Sequence, residues 1–310
     1  MALVQQETIQ EVNKFLTNFA TSYKLKNPVA DFIAPAFRVK YEQGKYVEYN
    51  KSMFRIFDDK ITGSEHAKEI QWDIDEAEYS CEEYSMEKFV SDKKKEQAVD
   101  PIRLDKDATK FLKQFHALAR EYRVNQIAGN NAIITQGVNI ASAWAAAGGL
   151  PVTDILTGMA TVEASTAGYV PNSIVMPTQV ALRLIQTTQW QTYFRFTDTG
   201  FKNGLWNAVS GLRQLGLNVM LTSVHGLNTV KLGSSDPRSE AMWDDNVLLF
   251  YKEQNPSLES RTLMYSPYVK KNIMFSTRQS RRRGGYITIY SDVDELLVDA
   301  QCGYLLRNCL

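Results

Sequence analysis

The sequence predicts an α+β protein whose extended and helical parts come in a fixed order, and three observations carry that prediction. Residues 38 to 98 set aromatic and β-branched residues among polar ones in an extended pattern. Residues 104 to 128 change to the three-and-four spacing of one long helix. From Pro151 onward, short apolar strands and amphipathic helices take turns. The chain has 310 residues, 44% hydrophobic and 23% charged, so it can bury a sizeable core and by length is expected to hold about two domains.

In QQETIQEVNKFLTNFA, residues 5 to 20, Ile9, Val12, Leu16 and Phe19 predict a short amphipathic helix, with Asn27-Pro28 ending it. Phe37, Val39 and Tyr41 then alternate with polar residues, Gln43-Gly44 offers a turn, and KYVEYNKSMFRIF continues extended. After the polar DDKITGSEHAKE, Ile70, Trp72 and Ile74 alternate with Gln71, Asp73 and Asp75. A two-stranded ribbon without its own core is marginal in water, so this segment needs a surface to lie on. Tyr46, Val47, Tyr49, Phe54, Ile56, Ile70 and Trp72 are the residues it is expected to bury against its own body and a neighbour. The remainder, EAEYSCEEYSMEKFVSDKKKEQ, is strongly charged and ends in a lysine run.

The long helix carries Ala108, Phe111, Leu112, Phe115, Leu118, Ala119, Tyr122 and Ile127 as one apolar stripe, with Asp105 and Asp107 near its start and Gly129 at its stop. Its length is roughly 35 Å at 1.5 Å per residue. Beyond it, Thr153 or Asp154 is expected to cap a helix through Ile155, Met159 and Val162. VPNSIVM reads as a buried strand and Pro177 as the opening of a helix through ALRLI. LWNAVSGLRQL reads as a helix, and LNVMLTS, NVLLFYK, RTLMYSPYV and YITIYSDV as strands. The chain closes on an apolar tail with Tyr304, Leu305, Leu306 and Leu310. Chain ends fray unless tied down, so such a tail is expected in a core.

Thirty-five basic residues balance thirty-five acidic ones, which argues against general gripping of a polyanion. No signal peptide is legible, and the least polar stretch, AIITQGVNIASAWAAAGGLPV, is too interrupted for a membrane span, so a cytoplasmic setting is expected. Cys81, Cys302 and Cys309 have neither paired spacing nor an even count, and read as buried thiols. Phosphate-loop, dinucleotide, nucleophile-elbow and zinc motifs are missing, and no catalytic residue, cofactor, metal or enzymatic activity is expected. His66, His116 and His225 sit in unrelated contexts, His116 as a helix-face residue. Asp73, Asp75, Glu76, Glu78, Glu82 and Glu83 read as a solvated or intersubunit strip. Arg278, Arg281, Arg282 and Arg283 are open to nucleic acid, to acidic residues of a neighbouring subunit, or to solvent. The subunit contact is preferred, because arginine forks pair carboxylates bidentately and the acidic strip supplies them.

The order of these parts, together with SMFRIFDDK, VSDKKKEQAVDPIRLDKDAT, VPNSIVMPTQVALRLIQT, WDDNVLLFYK and VDAQCGYLLRNCL, resembles the major capsid protein of tailed bacteriophages, the HK-type capsid fold, across essentially the whole chain. The resemblance implies an N-terminal arm (1–36), an extended loop lying over an adjacent subunit (38–98) and a peripheral domain (99–149) with spine helix 104–128. It further implies an axial domain (150–260), returning peripheral strands (261–291) and a tail on the axial domain (292–310). It implies a subunit of pentamers and hexamers in an icosahedral or prolate shell around double-stranded DNA, assembled in the host cytoplasm. The partners so implied are many copies of the chain, portal, scaffold or decoration proteins, and weakly contacted DNA, with no membrane. The chain starts at the arm, so a separate scaffold or none is expected. The family's lysine–asparagine crosslink is not carried over, since Lys45, Asn50 and Lys51 match no defined positions. An encapsulin-type compartment and a soluble α/β enzyme without a recognised motif are the alternatives.

Overall fold

A computed structural model describes residues 11–22, 28–48, 56, 59–60, 75–97, 101–141, 143–144, 146, 148–194, 205–226, 240–279 and 282–310. In chain order these form β1 (Glu11–Val12), α1 (Lys14–Ser22), α2 (Ala30–Ile33), β2 (Ala36–Arg38), β3 (Gln43–Glu48), β4 (Asp75–Ser80) and β5 (Glu82–Ser91). Then come α3 (Asp92–Glu96), α4 (Pro101–Ala128), β6 (Gly137–Asn139), α5 (Pro151–Thr166), β7 (Ser173–Pro177), α6 (Thr178–Leu184), α7 (Thr188–Tyr193) and α8 (Leu205–Gln214). The chain ends with β8 (Asn218–Thr222), β9 (His225–Gly226), β10 (Glu240–Ala241), β11 (Val247–Phe250), β12 (Met264–Gln279), β13 (Gly284–Val293), β14 (Leu296–Leu297) and β15 (Gly303–Arg307).

Two sheets organise the molecule. The first runs β1-β12-β13-β5, with β2 and β14 also on β12. From Met264, the fourth residue of RTLMYSPYV, the chain forms one strand of 16 residues, kinked where Asn272 takes φ 57° and the register against β13 shifts. Helices α1 and α4 cover one face of this sheet, burying Leu16, Ala20, Val90, Leu112, Met274, Ile287 and Ile289. Asn13 accepts a bond from the Leu16 amide at 3.0 Å and so caps α1, which starts well after residue 5.

The second sheet runs β6-β15-β11-β7-β8. Its strands are short and apolar on both faces; Val247 to Phe250 are all buried, as are Ser173 to Pro177. Helices α5, α6 and α8 contribute Ile155, Val162, Leu184 and Leu212 to its core, beside Trp144 and Trp190. The apolar tail is β15, seated between β6 and β11, with Tyr304, Leu305 and Leu306 buried. Cys302 and Cys309 fill the two cores beside it, and burial pushes both thiols above their ordinary range.

Several elements differ from the sequence reading. Helix α5 opens at Pro151, after Leu150, and not at a Thr153 or Asp154 cap. Pro177 stands just before α6 as its N-cap. Residues 137–139 and Trp144 pack with the second sheet, although they fall in the 99–149 stretch expected around the long helix. That helix starts at Pro101, and its buried face keeps Ala108 and Leu112 of the expected stripe but not Phe111, Phe115 or Tyr122.

Ala108, Leu112, His116, Arg120, Val124 and Ala128 face inward at every fourth position, while Phe111, Phe115 and Tyr122 are exposed. The polar members are held by long-range partners. Arg120 pairs with Asp31 and donates to Ala34 O at 3.0 Å and to Ser266 Oγ at 3.2 Å. Glu121 accepts from the amides of Val29 and Ala30 at 2.5 and 2.8 Å, capping α2 from another element. Arg123 forks onto Glu295 with two bonds of 3.1 Å. A polar seam therefore fastens α4 to the N-terminal segment and to the end of β13.

Candidate intersubunit surfaces

The two described strands of the ribbon are rooted on the body. Among the described residues β3 and β4 pair only with each other, from Gln43 opposite Ser80 to Glu48 opposite Asp75. At the root, Tyr46 and Tyr79 pack with Val39 and Val298 around Tyr265, the Tyr46 and Tyr265 rings 6.3 Å apart. Tyr46 is thus buried by its own chain, the first of the two surfaces expected for it. Val47 is half-buried, its amide donating to Leu258 O at 3.2 Å. Ile56 is fully exposed. Tyr49, Phe54, Ile70 and Trp72 lie outside the described residues.

The ribbon is also narrower than 38 to 98. β5 pairs with β13 over ten positions, from Ser91 opposite Gly284 to Glu82 opposite Val293, so it belongs to the first sheet. Alternation alone gives a strand and two faces but not the partner, which is why the reading ran past Ser80.

At one end of the β5–β13 pair lies the arginine turn. Arg278, Arg282 and Arg283 are exposed, Arg281 lies outside the described residues, and Arg283 takes φ 46° in the turn. Arg278 approaches Asp92 at 3.7 Å, and Arg282 donates to the Tyr286 hydroxyl at 2.6 Å. The amide of Asp92 donates to Arg283 O at 2.9 Å, which sets α3 against the turn. That contact brings Lys93, Lys94 and Lys95 beside the arginines, a grouping missed in the sequence because the lysines read as the close of the acidic hairpin. Nearby acids are Asp92, Glu96 and Asp105, the last paired with Lys95 at 2.9 Å.

At the other end, Glu76, Glu78, Glu82 and Glu83 are exposed around the ribbon root. Glu76 pairs with Lys45 at 2.8 Å in water. Asp73 and the side chain of Asp75 fall outside the description. Nine strand steps separate Gly284 from Val293, about 30 Å at 3.3 Å per residue. Basic turn and acidic root therefore sit at opposite ends of one sheet and cannot pair within a chain.

The outer flank of α4 adds an apolar band. Phe111 and Phe115, 45% and 46% exposed, stack with centroids 4.5 Å apart, and Tyr122, 42% exposed, continues the line. Lys88 of β5 sits 3.7 Å from the Phe111 centroid.

His116 is buried with Nε2 3.1 Å from Ser291 Oγ, while His66 and the His225 side chain lie outside the described residues. Among the described residues no group of His, Cys, Asp and Glu is arranged to hold a metal, and no helix is long and apolar enough to cross a membrane.

A long helix on a sheet of long strands, a second sheet closed by the terminal strand and a ribbon rooted at their edge define the HK-type capsid fold. The chain is similar in fold to a phage-related protein of Bordetella bronchiseptica RB50, with TM-score 0.75 and 17% identity over 97% of this chain and 98% of that one. It is similar to the capsid structure of cyanophage P-SCSP1u, at TM-score 0.59 and 11% identity over 92% and 89% of the two chains. A virus-like particle from Pyrococcus furiosus matches at TM-score 0.50 and 9% identity over 94% and 96%. No family model matches the sequence, and no curated protein matches it either.

Proposed function

We propose that the chain is a major capsid subunit that assembles into pentamers and hexamers of a closed icosahedral or prolate shell around double-stranded DNA, within the virion of a tailed phage. The observation that carries this reading is the HK-type fold spanning nearly the whole chain, with the two-stranded ribbon β3–β4 rooted on the body near Gln43 and Ser80. In this reading residues 1–36 are the arm, 38–98 contain the loop that lies on a neighbour, and 99–149 with 261–291 form the peripheral domain. Residues 150–260 form the axial domain and 292–310 the tail upon it.

The surfaces supply a rationale for assembly. Arg278, Arg281, Arg282 and Arg283 of one copy meet the acidic root of the next, a head-to-tail contact that closes only by repetition. Val47, Tyr49, Phe54, Ile56, Ile70 and Trp72 bury against the neighbour's body. At about 25 cal/mol per Å², a few hundred Å² of apolar burial per contact gives several kcal/mol before ordering costs. Portal, scaffold or decoration proteins are the further partners, and the balanced charge leaves DNA weakly held.

Negative-stain microscopy of the purified chain, followed by analysis of particle contents, tests the reading. Rings or shells are expected, with packaged double-stranded DNA in particles from infected cells. A second reading, an encapsulin-type compartment, shares the fold, and a single enzyme species as cargo favours it. A monomer without particles at any concentration, with or without scaffold, contradicts both.

A further inference from the structure

Between α2, α4 and the bend of β12 lies a cavity of about 530 Å³ bordered by Lys113, Arg120 and Lys271. Its acidic walls are Asp31 and Glu121, both held by partners, although Glu121 Oε2 accepts no hydrogen bond among the described residues. Asp31 is shared by Arg120 and Lys271, the latter at 3.2 Å, while Glu121 accepts the two α2 amides. Arg120 also faces Glu295 at 3.5 Å. Lys113, partly buried, has no hydrogen bond or ion pair among the described residues. Lys113 is therefore the cation of this wall without a direct partner among the described residues, in a concavity with room for a small ligand. Asn272, in the left-handed conformation at the kink, also lines it and brings a side-chain amide.

We propose that this cavity is an oxyanion site, in which Lys113, backed by Lys271 and Arg120, holds one phosphate or carboxylate group. Burial lowers the Lys113 amine to about 8, with the Lys271 and Arg120 charges adding to the effect and Asp31 opposing it. A bound oxyanion offsets the neighbouring positive charges and favours the charged amine. Two sources offer this chemistry, free phosphate in solution and a carboxylate side chain of a second copy. Only the second rests on the shell reading.

Thermal unfolding of wild type and Lys113→Met in chloride and in phosphate, at matched ionic strength and pH 7, separates the outcomes. In chloride the variant is expected to melt at or above the wild-type temperature, because it deletes a charge without a direct partner. Saturating phosphate is expected to raise the wild-type Tm by about 2–4 °C and to leave the variant in place. For the carboxylate source, carbodiimide is applied to particles made from mixed isotopically labelled and unlabelled chains. Mass spectrometry is then expected to show Lys113 or Lys271 joined to an Asp or Glu of a different chain. Either positive result supports the site and names its source. Equal phosphate shifts in both proteins, with no interchain link at either lysine, overturn it. A chain that stays monomeric removes the shell reading, and the phosphate comparison then decides the site alone.

Discussion

The guanidinium of Arg261 donates to the carboxylate of Asp299 at 2.7 Å, with both side chains almost wholly out of water. The same arginine donates to Thr166 O at 2.7 Å, at the last turn of α5, where a cation complements the helix dipole. Asp299 in turn accepts from the Gln301 amide at 2.8 Å and starts the turn into β15. This pair fastens the terminal strand to the helix that covers it.

Arg261→Met leaves the Asp299 charge buried without its partner, and a loss of about 3–5 kcal/mol is expected. Adding Asp299→Asn removes the stranded charge and is expected to recover part of that loss. Urea unfolding of the single and double variants checks this. A single-variant loss below about 1 kcal/mol sinks the anchoring role, since that is the range of an exposed pair.

Gly137 lets β6 close on the tail, because a Cβ there would stand 2.2 Å from Leu305 O. Backbone cannot yield as a side-chain tip can, so Gly137→Ala is expected to cost about 1–3 kcal/mol. It is also expected to speed thiol labelling of Cys309 in the folded state. Unchanged labelling means that β6 does not hold the tail.

Acidity should act through His116. Burial, then the charges of Arg123, Lys113, Arg120 and Lys271, lower its imidazole to about 4. Ser291 Oγ accepts the Asn272 amide at 2.8 Å, so its hydroxyl proton is free to bond Nε2 of the neutral ring. Below an unfolded value of about 6.5 the unfolded chain takes up a proton that the folded one refuses, so stability falls as pH drops toward 4, by up to about 3 kcal/mol. Burial pushes the Asp31 carboxyl up, but Arg120 and Lys271 outweigh it and hold it at about 2, so it stays charged across this window. Urea midpoints from pH 7 to pH 4.5 are expected to fall for wild type and to change much less for His116→Gln. Parallel slopes contradict the assignment.

The α4 band separates folding from assembly. Phe115→Glu changes a side chain that is 46% exposed, so monomer stability is expected to move by no more than about 0.5 kcal/mol. Large assemblies, in the shell reading, are expected to form more slowly or only at higher concentration. Light scattering against protein concentration reads this directly, and an unchanged threshold removes the band from the interface.

Local pattern carried much of this fold. The long helix, the buried strands at Ser173–Pro177 and Val247–Phe250, and β13 follow directly from periodicity and from turn residues. Other features escape because their causes lie far away in sequence. His116 and Arg120 turn inward since Ser291 and Ser266 meet them, 175 and 146 positions on, and no helical spacing records that. The expected stripe put Phe111, Phe115 and Tyr122 inside because they are apolar, whereas the sheet beneath accepts Ala108, Leu112 and a polar seam. The lysines 93–95 join the arginine turn through one backbone bond from Asp92 to Arg283. The own-body surface that covers Tyr46 is Tyr265, more than two hundred residues later, a partner no local spacing names.

Sedimentation velocity on the full chain, beside a variant in which residues 49–74 are replaced by a short turn, tests most directly whether the ribbon joins copies together. The account predicts that the full chain forms species far larger than a monomer. The variant, with an unchanged circular dichroism spectrum and melting temperature, stays small. Equal assembly of the two, or a full chain that remains monomeric at every concentration, contradicts it.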